Sequence, residues 1–442
     1  MIGTGAAGST AAHKCRKAGW NVAIVDSRPF GGTCALRGCD PKKVLVGAAE
    51  LLDWNRRMEG RGVAASDTQI DWPTLMRFKR TFTGPVPGNQ ERGYVKAGIT
   101  PLHGRARFLD DATLELADDK LVGRFILIAA GAKPATLGIP GEEDLIKSDQ
   151  FLALEHLPRR IVFVGGGYIS FEFAHVAARA GAKVQILHRG ARPLERFDSD
   201  LVDRLVQATR ELGIEVLVNT AVEAIERDGE QFIVKAATAE GERKFETDLV
   251  VHGAGRVPDI DDLDLERGHV AREEKGAAVN EFLQSVSNPV VYAAGDAAAS
   301  SGLPLTPVAS TEGHVVASNM LEGNHRQANY AGAPTVVFTI PPLASVGLQE
   351  AEAKKQGVKF RVNQEDTSRW YSSRRVNLKH SGYKILVEES TDRIIGAHLL
   401  GEHAEEVINI FGLAIRHGLK AQDLKTMIYS YPTSASDVSY MV

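Results

Sequence analysis

Two glycine-rich turns constrain the fold of this chain more than any other feature. The first places Gly3, Gly5 and Gly8 in a G-x-G-x-x-G pattern, and the second places Gly165 and Gly167 between an apolar strand and a helix. Such glycines permit a tight bend and a close approach of the backbone to a pyrophosphate, which rests on the helix N-terminus. One such turn is a weak signal, but two in one chain predict two Rossmann-like domains that bind two dinucleotides.

A strand follows each turn, and the residue after it predicts which ribose is bound. Residues 22–25 form an apolar run that ends in Asp26, whose carboxylate suits ribose hydroxyls. After the second run, residues 183–187, the chain continues with His188 and Arg189 and has no acid. An arginine here accommodates the 2′-phosphate of NADPH, whereas an acid would hold the free hydroxyl of NADH. NADPH is therefore favoured over NADH.

The strand before the first turn is nearly absent, because only Met1 and Ile2 precede Gly3. The first parallel strand of such a domain is normally buried and several residues long. We therefore expect the numbered chain to begin late in this strand. The alternative is a fold that tolerates a first strand of one or two residues.

Cysteine usage indicates redox chemistry. Cys34 and Cys39 are separated by four residues, and a chain with three cysteines is not held together by disulfides. We predict no metal site, because structural zinc needs four ligands and no second Cys/His pair has suitable spacing. A dithiol that opens and closes is favoured over two buried, unpaired thiols. Pro41 suits a first helical turn with Asp40 as a candidate N-cap, so Cys39 would lie at a positive helix end that favours its thiolate.

Residues 31–43, which contain the cysteine pair, resemble the redox-active disulfide motif of the class I pyridine nucleotide-disulfide oxidoreductases. This family includes glutathione reductase, dihydrolipoamide dehydrogenase and mercuric reductase. The resemblance covers nearly the whole chain, and the motifs follow the family's order. It implies that FAD and a pyridine nucleotide are the cofactors, that Cys34 attacks the acceptor, and that Cys39 contacts the flavin.

The resemblance also implies the domain order. We expect an α/β fold with two Rossmann-like dinucleotide-binding domains and a C-terminal α+β dimerisation domain. The FAD-binding domain would comprise residues 1–145 and 258–330, the NAD(P)H-binding domain residues 146–257, and the interface domain residues 331–442. The interface domain implies a homodimer, in which the family's acid-base histidine reaches the disulfide from the other subunit.

The family's motifs assign cofactor contacts residue by residue. By resemblance, Tyr168 covers the nicotinamide side of the flavin, and Asp296 binds the ribityl hydroxyls. Lys42 and Glu172 match an ion pair beside flavin N5, where a cation favours the reduced flavin; the alternative is two surface charges far apart in sequence. The other expected cofactor-binding residues are Gly3, Gly5, Gly8, Asp26, Gly32, Thr33, Ala130, Gly131, Gly165, Gly167, Arg189, Gly255, Arg256, Thr306, Pro307 and Val308.

The chain departs from the family at its acid-base residue. Where the family has His-Pro-Thr, this chain begins the same triplet with Tyr431, and Ser436 replaces the glutamate that orients the histidine. Tyrosine, with an ordinary pKa of about 10, is a poor base at pH 7. Mercuric reductase also has tyrosine here, but it carries a vicinal cysteine pair near its C-terminus that this sequence lacks. The predicted catalytic residues are Cys34, Cys39, Lys42, Glu172 and Tyr431.

Two further features indicate an acceptor other than glutathione. Residues 84–88, Gly-Pro-Val-Pro-Gly, should interrupt a helix that begins near Trp72, because proline removes a donor and clashes with the previous turn. Relatives such as glutathione reductase run a long helix here. His13 and His314 stand where glutathione reductases place arginines for substrate carboxylates; the alternative is two ordinary surface or core histidines.

Composition excludes several other classes of function. A net charge of −4 argues against a nucleic-acid partner, and no apolar run approaches the roughly 18 residues of a membrane helix. The sequence opens directly on the glycine turn with no signal peptide, so we expect a cytoplasmic protein.

The leading hypothesis is an enzyme that passes electrons from NADPH through FAD to the Cys34–Cys39 disulfide. A small-molecule disulfide or another thiol-reactive acceptor would receive them. One alternative is a metal-ion or quinone reductase of the mercuric reductase type, with Tyr431 as ligand or hydrogen-bond donor. Another is a flavin-based redox sensor, in which the cysteine pair switches shape or partner binding.

Overall fold

The computed structural model describes residues 1–64 and 67–442. Their contacts divide the chain into two compact units, and each combines helices with parallel and antiparallel sheets, as expected of an α/β fold. The finer domain boundaries given above stay predictions. The first unit consists of Met1–Lys42, Arg77–Ala135 and Gly255–Tyr330, and the second of Lys43–Met76, Thr136–Ala254 and Ala331–Val442.

Helices and strands both occur along the whole described chain. The helices are α1 (Ala6–Lys17), α2 (Gly32–Arg37), α3 (Cys39–Met58), α4 (Trp72–Thr83), α5 (Val86–Ala97), α6 (Ser148–Phe151), α7 (Tyr168–Arg179), α8 (Ser199–Glu211), α9 (Thr306–Glu322), α10 (Glu350–Lys355), α11 (Tyr371–Arg374), α12 (Ala404–His417), α13 (Ala421–Thr426) and α14 (Val438–Met441). The strands are β1 (Ala23–Asp26), β2 (Thr100–His103), β3 (Ala106–Phe108), β4 (Thr113–Leu116), β5 (Asp119–Val122), β6 (Ile126–Ile128), β7 (Ala132–Pro134), β8 (Arg160–Val164), β9 (Lys183–Leu187), β10 (Glu215–Leu217), β11 (Ala221–Asp228), β12 (Gln231–Thr238), β13 (Gly241–Thr247), β14 (Leu249–His252), β15 (Arg256–Pro258), β16 (Arg272–Glu273), β17 (Gly276–Ala277), β18 (Val291–Ala293), β19 (Thr335–Val337), β20 (Leu343–Gly347), β21 (Phe360–Asp366), β22 (Gly382–Glu388) and β23 (Ile394–Leu400). Among the described residues, no helix is both long enough and apolar enough to cross a membrane.

A parallel sheet forms the centre of the first unit. Strand β1 pairs with β2, β6 pairs with β18, and Ile2 bridges the two pairs at Val25 and Ile128. The Ile2 N–H donates to the oxygen of Leu127 (2.8 Å), and the Gly3 N–H donates to that of Val25 (2.7 Å). Ile2 therefore makes the sheet contacts that come before the first glycine turn.

The second unit holds the second glycine turn in a parallel sheet of order β10, β9, β8, β14. Helix α7 begins directly after the turn and β9 follows it, which confirms the predicted strand–turn–helix–strand order. The C-terminal part forms an antiparallel sheet of order β19, β20, β23, β22, β21. Helix α12 is amphipathic, and its buried side chains share one apolar core with this sheet.

The predicted helix interruption is also present. Helix α4 ends at Thr83, and α5 begins at Val86 after an N-cap at Pro85. Because Pro85 has no N–H to continue the α4 ladder, the chain turns before it resumes a helix. The new helix begins beside the cysteine segment, since a Cβ added to Gly31 would lie 2.7 Å from Val86 Cγ1.

Candidate active site

The first glycine turn brings bare backbone to the end of the central sheet. Gly3 has φ +104°, and a Cβ there would lie 2.2 Å from the carbonyl oxygen of Ala129. A Cβ on Gly8 would lie 2.0 Å from the carbonyl oxygen of Gly3. Only glycine fits at these two positions, and no side chain caps the N-terminus of α1 at Gly5. The first turn of α1 therefore presents N–H groups suited to a pyrophosphate.

Asp26, at the end of β1, ties this turn to the cysteine segment. Its Oδ2 accepts hydrogen bonds from the Thr4 N–H (2.8 Å) and from Thr4 Oγ1 (2.6 Å). The Thr4 hydroxyl oxygen in turn accepts the N–H of Gly31 (3.2 Å). The carboxylate predicted to hold a ribose therefore also fixes the start of the redox segment relative to the glycine turn.

A cleft of about 370 Å³ lies beside Asp26 in the first unit. Each carboxylate oxygen has more than one acceptor position, so Asp26 retains capacity for a ligand hydroxyl. The glycine turn, the open helix N-terminus and this cleft together fit the pyrophosphate and ribose of a dinucleotide such as FAD. The cleft is lined by Asp26, Ser27, Arg28, Pro29, Phe30, Pro87, Glu91, His103 and Gly104.

The cysteine segment packs directly on the first glycine turn. Gly32 has φ +70°, and a Cβ on it would lie 2.5 Å from the Cα of Gly5. Cys34 lies in α2, and Cys39 is the first residue of α3, so the expected position of Cys39 at a helix N-terminus is confirmed. The predicted N-cap is wrong, since Asp40 lies inside the first turn of α3.

Polar contacts surround the two sulfurs, and the hydroxyl of Thr306 acts on both of them. The Cys34 thiol donates to Asp40 Oδ1 over 3.7 Å, and Cys39 Sγ lies 3.5 Å from Thr306 Oγ1. The two cysteines also hydrogen-bond to each other. Thr306 begins α9, so the structure joins the cysteine pair to the segment predicted to hold the flavin.

The environment separates the acidities of the two thiols. The pKa of Cys34 is raised, first by its hydrogen bond to Cys39 and then by burial, with the charge of Asp40 adding to the effect. The same hydrogen bond, helped by Thr306 and the Lys42 ammonium, lowers the pKa of Cys39 to about 6 despite burial and the opposing charge of Asp40. In the reduced pair, Cys39 is therefore the thiolate and Cys34 the thiol.

The second half of the first unit supplies a half-buried aspartate, Asp296. Burial raises the pKa of Asp296, and the Arg256 charge opposes this rise. The Arg256 guanidinium donates to the carbonyl oxygen of Ala132, which follows the predicted contacts Ala130 and Gly131. The predicted residues that share this unit are Gly3, Gly5, Gly8, Asp26, Gly32, Thr33, Cys34, Cys39, Lys42, Ala130, Gly131, Gly255, Arg256, Asp296, Thr306, Pro307 and Val308.

Sequence reasoning missed a carboxylate behind Asp296. Glu312 on α9 is 1% exposed and accepts hydrogen bonds from the Gly295 N–H, the Ser300 hydroxyl and the Tyr330 hydroxyl, each at 2.6 Å. This carboxylate fixes the turn that presents Asp296. A buried acid within an otherwise apolar helix face was the available signal, because such a group needs hydrogen-bond donors.

The second glycine turn, like the first, brings backbone atoms too close together for any residue other than glycine. Gly165 has φ +104°, and a Cβ there would lie 2.6 Å from the carbonyl oxygen of Gly253. His188 Nδ1 accepts the N–H of Gly166 (3.2 Å), and its Nε2 lies 2.9 Å from the carbonyl oxygen of Arg192. His188 therefore connects the glycine turn to the loop that begins with Arg189.

Two expected pairings span the two units and stay predictions. Lys42 is buried in the first unit, and Glu172 is buried in the second, where its Oε1 accepts the N–H of Phe338 (2.9 Å). Tyr431 is 81% exposed in the second unit, and Cys34 belongs to the first. Tyr168, at the start of α7, is 46% exposed.

The two histidines of the predicted acceptor site lie on helices that pack together. A Cβ on Gly313 of α9 would lie 2.5 Å from the carbonyl oxygen of Ala7 in α1. His13 on α1 and His314 on α9 are both exposed, so neither is a core histidine. Within residues 1–64 and 67–442, no group of three or more His, Cys, Asp or Glu side chains is arranged to hold a metal ion.

The fold and this site define a chain with two dinucleotide folds and a dithiol packed on the first. Residues 1–313 match the pyridine nucleotide-disulphide oxidoreductase family, and residues 333–442 match that family's dimerisation domain. The chain belongs to this family. It is an FAD-dependent oxidoreductase that couples a pyridine nucleotide to disulfide chemistry.

Similar proteins include reductases of different acceptors. A glutathione reductase of Burkholderia cepacia is 31% identical over 437 residues, covering 99% of this chain and 96% of its own length. A mercuric reductase of Staphylococcus aureus is 32% identical over 445 residues, covering 98% and 80%. The solved structure of the HOCl-induced flavoprotein disulfide reductase RclA of Escherichia coli has a TM-score of 0.88 at 27% identity, covering 100% of this chain and 98% of that one. A Cu(II) complex of RclA matches with a TM-score of 0.87.

Proposed function

We propose that this enzyme transfers electrons from NADPH through FAD to the Cys34–Cys39 pair and then to a small thiol-reactive acceptor. The observation that carries the proposal is the hydrogen-bonded dithiol, in which one sulfur is acidic and the other is not. FAD, when bound, supplies the two-electron exchange between a hydride donor and a dithiol. The half-buried Asp296, the first glycine turn and the cysteine pair are this chain's own contributions.

The contacts of each sulfur support separate roles. Cys39 lies beside Thr306, at the start of the helix that follows Asp296, so we assign it to the flavin side. Cys34 lies in the preceding helix, α2, and is the protonated thiol of the reduced pair. We therefore assign it to attack on the acceptor. Lys42, which lowers the pKa of Cys39, follows it by one helical turn.

A substrate screen tests the proposal. NADPH oxidation is followed with the purified holoenzyme and, in turn, neutral disulfides, charged disulfides, quinones and Hg(II). Steady oxidation that depends on one added acceptor supports an enzyme and names the acceptor class. A single burst of oxidation with every acceptor would instead support the redox sensor.

The acidity of Cys39 gives a prediction for the reduced enzyme. Its thiolate is expected above about pH 6 and is lost as the pH falls through that value, because its pKa is lowered to about 6. An anaerobic pH titration of the long-wavelength absorption of the two-electron-reduced protein measures this. The absorption should persist at pH 7 and fade below pH 6; fading already near pH 9, the ordinary range of a thiol, would contradict the lowered pKa.

The loop after β9 supports a preference for NADPH. Arg189 is exposed in this loop, whereas Arg192 is held by Asp203 on α8 (3.2 Å). Arg189 is therefore the better placed of the two for a 2′-phosphate. Glu195 lies close by, since a Cβ on Gly190 would meet its Oε1 at 3.2 Å, so the loop carries one opposing charge.

Substituting Arg189 with glutamate is expected to shrink or reverse the preference of wild type for NADPH over NADH. A contact with a phosphate is worth roughly 1.5–3 kcal/mol, so the ratio of kcat/KM values should fall by more than tenfold. Arg192→Gln is the matched control, because it removes a charge from the same loop and should change the ratio little. A wild-type enzyme that prefers NADH would sink this assignment.

We also propose a homodimer built by residues 331–442. This region matches the dimerisation domain, and it exposes large apolar side chains near its end: Met427, Ile428, Tyr431 and Tyr440. Apolar side chains grouped in this way are typical of a protein–protein interface. In such a dimer, the resemblance places Tyr431 of one subunit opposite Cys34 of the other.

A metal-ion reductase is a second candidate. Tyr431 is an exposed phenol where a base would stand, and a mercuric reductase is among the similar proteins. A thiol–thiolate pair is a good ligand for soft metal ions, and RclA forms a Cu(II) complex. NADPH oxidation driven by Hg(II) or Cu(II), with no activity toward any disulfide, would favour this candidate.

A further inference from the structure

The thiol assigned to the acceptor has a carboxylate beside it. Cys34 Sγ donates to Asp40 Oδ1 over 3.7 Å. Asp40 is exposed, and it lies in the first turn of α3 between Cys39 and Pro41. A molecule that approaches Cys34 therefore meets a negative charge at the reacting sulfur.

The negative charge of Asp40 acts against the groups that favour a thiolate in the cysteine pair. The Lys42 ammonium lowers the pKa of Cys39, and the hydroxyl of Thr306 lowers the pKa of both thiols. The carboxylate of Asp40 raises the pKa of both. Two charges disfavour a thiolate at Cys34: that of the Cys39 thiolate and that of the Asp40 carboxylate.

We propose that Asp40 determines acceptor specificity, so that the enzyme favours acceptors with neutral or positive groups beside the reacting atom and disfavours anionic ones. This inference rests on the proposed function, because it assumes that Cys34 attacks the acceptor. It goes further by naming the charge class of the acceptor. It also gives a physical reason, besides the two histidines, for poor use of a polyanionic disulfide such as that of glutathione.

With a disulfide acceptor, the reaction runs in two exchanges. Cys34 loses its proton, its sulfur bonds to one acceptor sulfur, and the second acceptor sulfur leaves with the electron pair of the broken bond and takes up a proton. The Cys39 thiolate then bonds to Cys34 Sγ, and the first acceptor sulfur leaves as a thiolate that takes a proton from solvent. The acceptor gains two electrons and becomes two thiols, and the enzyme dithiol becomes a disulfide.

Asp40 acts on the first exchange through charge. Negative charge accumulates on the attacking and leaving sulfurs, and an anionic acceptor adds its own charge near the carboxylate. Two unit charges about 4 Å apart change a rate roughly fivefold even in water. A cationic acceptor gains this factor, an anionic acceptor loses it, and a neutral acceptor is little affected.

Three disulfides with different charges test the proposal with the holoenzyme and NADPH. Cystamine is a dication, bis(2-hydroxyethyl) disulfide is neutral, and 5,5′-dithiobis(2-nitrobenzoate) is a dianion. The variant is Asp40→Asn, which keeps the shape of the side chain and removes the charge. The measured quantity is kcat/KM of the variant divided by that of wild type for each disulfide, so intrinsic reactivity cancels.

The variant should use the dianion about fivefold better and cystamine about fivefold worse, so the ratio between them changes roughly 25-fold. In wild type, the preference for cystamine should shrink at 1 M salt, where the Debye length is about 3 Å. The acid limb of the kcat/KM profile should also move to lower pH in the variant, because loss of the carboxylate lowers the pKa of Cys34.

Glu50→Gln is the matched control, since it removes one carboxylate from the same helix and should leave the three ratios equal. Equal ratios for all three disulfides in Asp40→Asn, with normal FAD content and a normal rate of flavin reduction, would overturn the proposal. Failure of the proposed function has a different signature, in which wild type reduces its flavin with NADPH and turns over none of the three disulfides.

Discussion

Cys39→Ser is expected to abolish disulfide turnover and the long-wavelength absorption that two-electron reduction produces. Cys39 is the acidic thiol of the pair, and its contact with Thr306 places it on the side predicted for the flavin. A serine hydroxyl is neither ionised at pH 7 nor able to form a disulfide. Turnover should fall by more than about 10³-fold, as expected when a nucleophile that acts as part of a unit is removed. Anaerobic spectra and NADPH oxidation with a disulfide measure both effects.

Cys34→Ser is the informative comparison. It should also lose disulfide turnover, but the Cys39 thiolate remains, so the oxidised flavin should show the long-wavelength absorption without any reductant. Cys15→Ser controls for loss of a thiol, because Cys15 belongs to α1 and its side chain is buried in the core away from the pair. If Cys34→Ser lost the absorption and Cys39→Ser kept it, the two roles would have to be exchanged.

Tyr431→His is expected to raise the rate of disulfide reduction. A neutral phenol donates a hydrogen bond at pH 7 but does not readily accept the proton of Cys34, whereas an imidazole does. General acid–base catalysis contributes roughly 10²–10⁴-fold, and we expect the lower end of this range. The reason is local: Ser436, which stands in place of the orienting glutamate, accepts the Thr433 N–H (3.2 Å) and donates to the Thr433 carbonyl oxygen (2.6 Å). The new imidazole would therefore lack the glutamate that orients the family's histidine.

Tyr431→Phe separates this role from a structural one. Reduction of the flavin by NADPH requires no proton transfer at Cys34, so stopped-flow rates of that half-reaction should match wild type. Only the rate with the acceptor should change. Equal slowing of both half-reactions would show that Tyr431 does not act at the dithiol, and the proposed dimer arrangement would fail with it.

Local pattern was enough to predict much of the fold. The glycine turns could be recognised because their backbone geometry admits only glycine, as the 2.2 Å and 2.6 Å approaches at Gly3 and Gly165 show. The interruption before Val86 followed from the missing proline donor. The position of Cys39 at the start of α3 followed from Pro41. In each case the cause lies within a few residues of the effect.

Contacts between distant segments were harder to predict. Asp40 was interpreted as a cap, because sequence alone does not show that α2 ends so close to α3 that the carboxylate meets Cys34. The hydrogen bonds of Glu312 join residues 295, 300 and 330 through three-dimensional folding. The ion pair between Arg192 and Asp203 likewise depends on how the loop after β9 folds onto α8. Such side-chain pairings follow from packing rather than from spacing.

The electron capacity of the enzyme tests the central claim most directly. Under anaerobic conditions the oxidised protein is titrated with dithionite, and the flavin spectrum is recorded against electrons added per FAD. A flavin coupled to the Cys34–Cys39 disulfide should take up four electrons, with the long-wavelength absorption maximal after the first two and bleaching complete only after four. Complete bleaching after two electrons, with no long-wavelength intermediate, would show that the cysteine pair does not exchange electrons with the flavin.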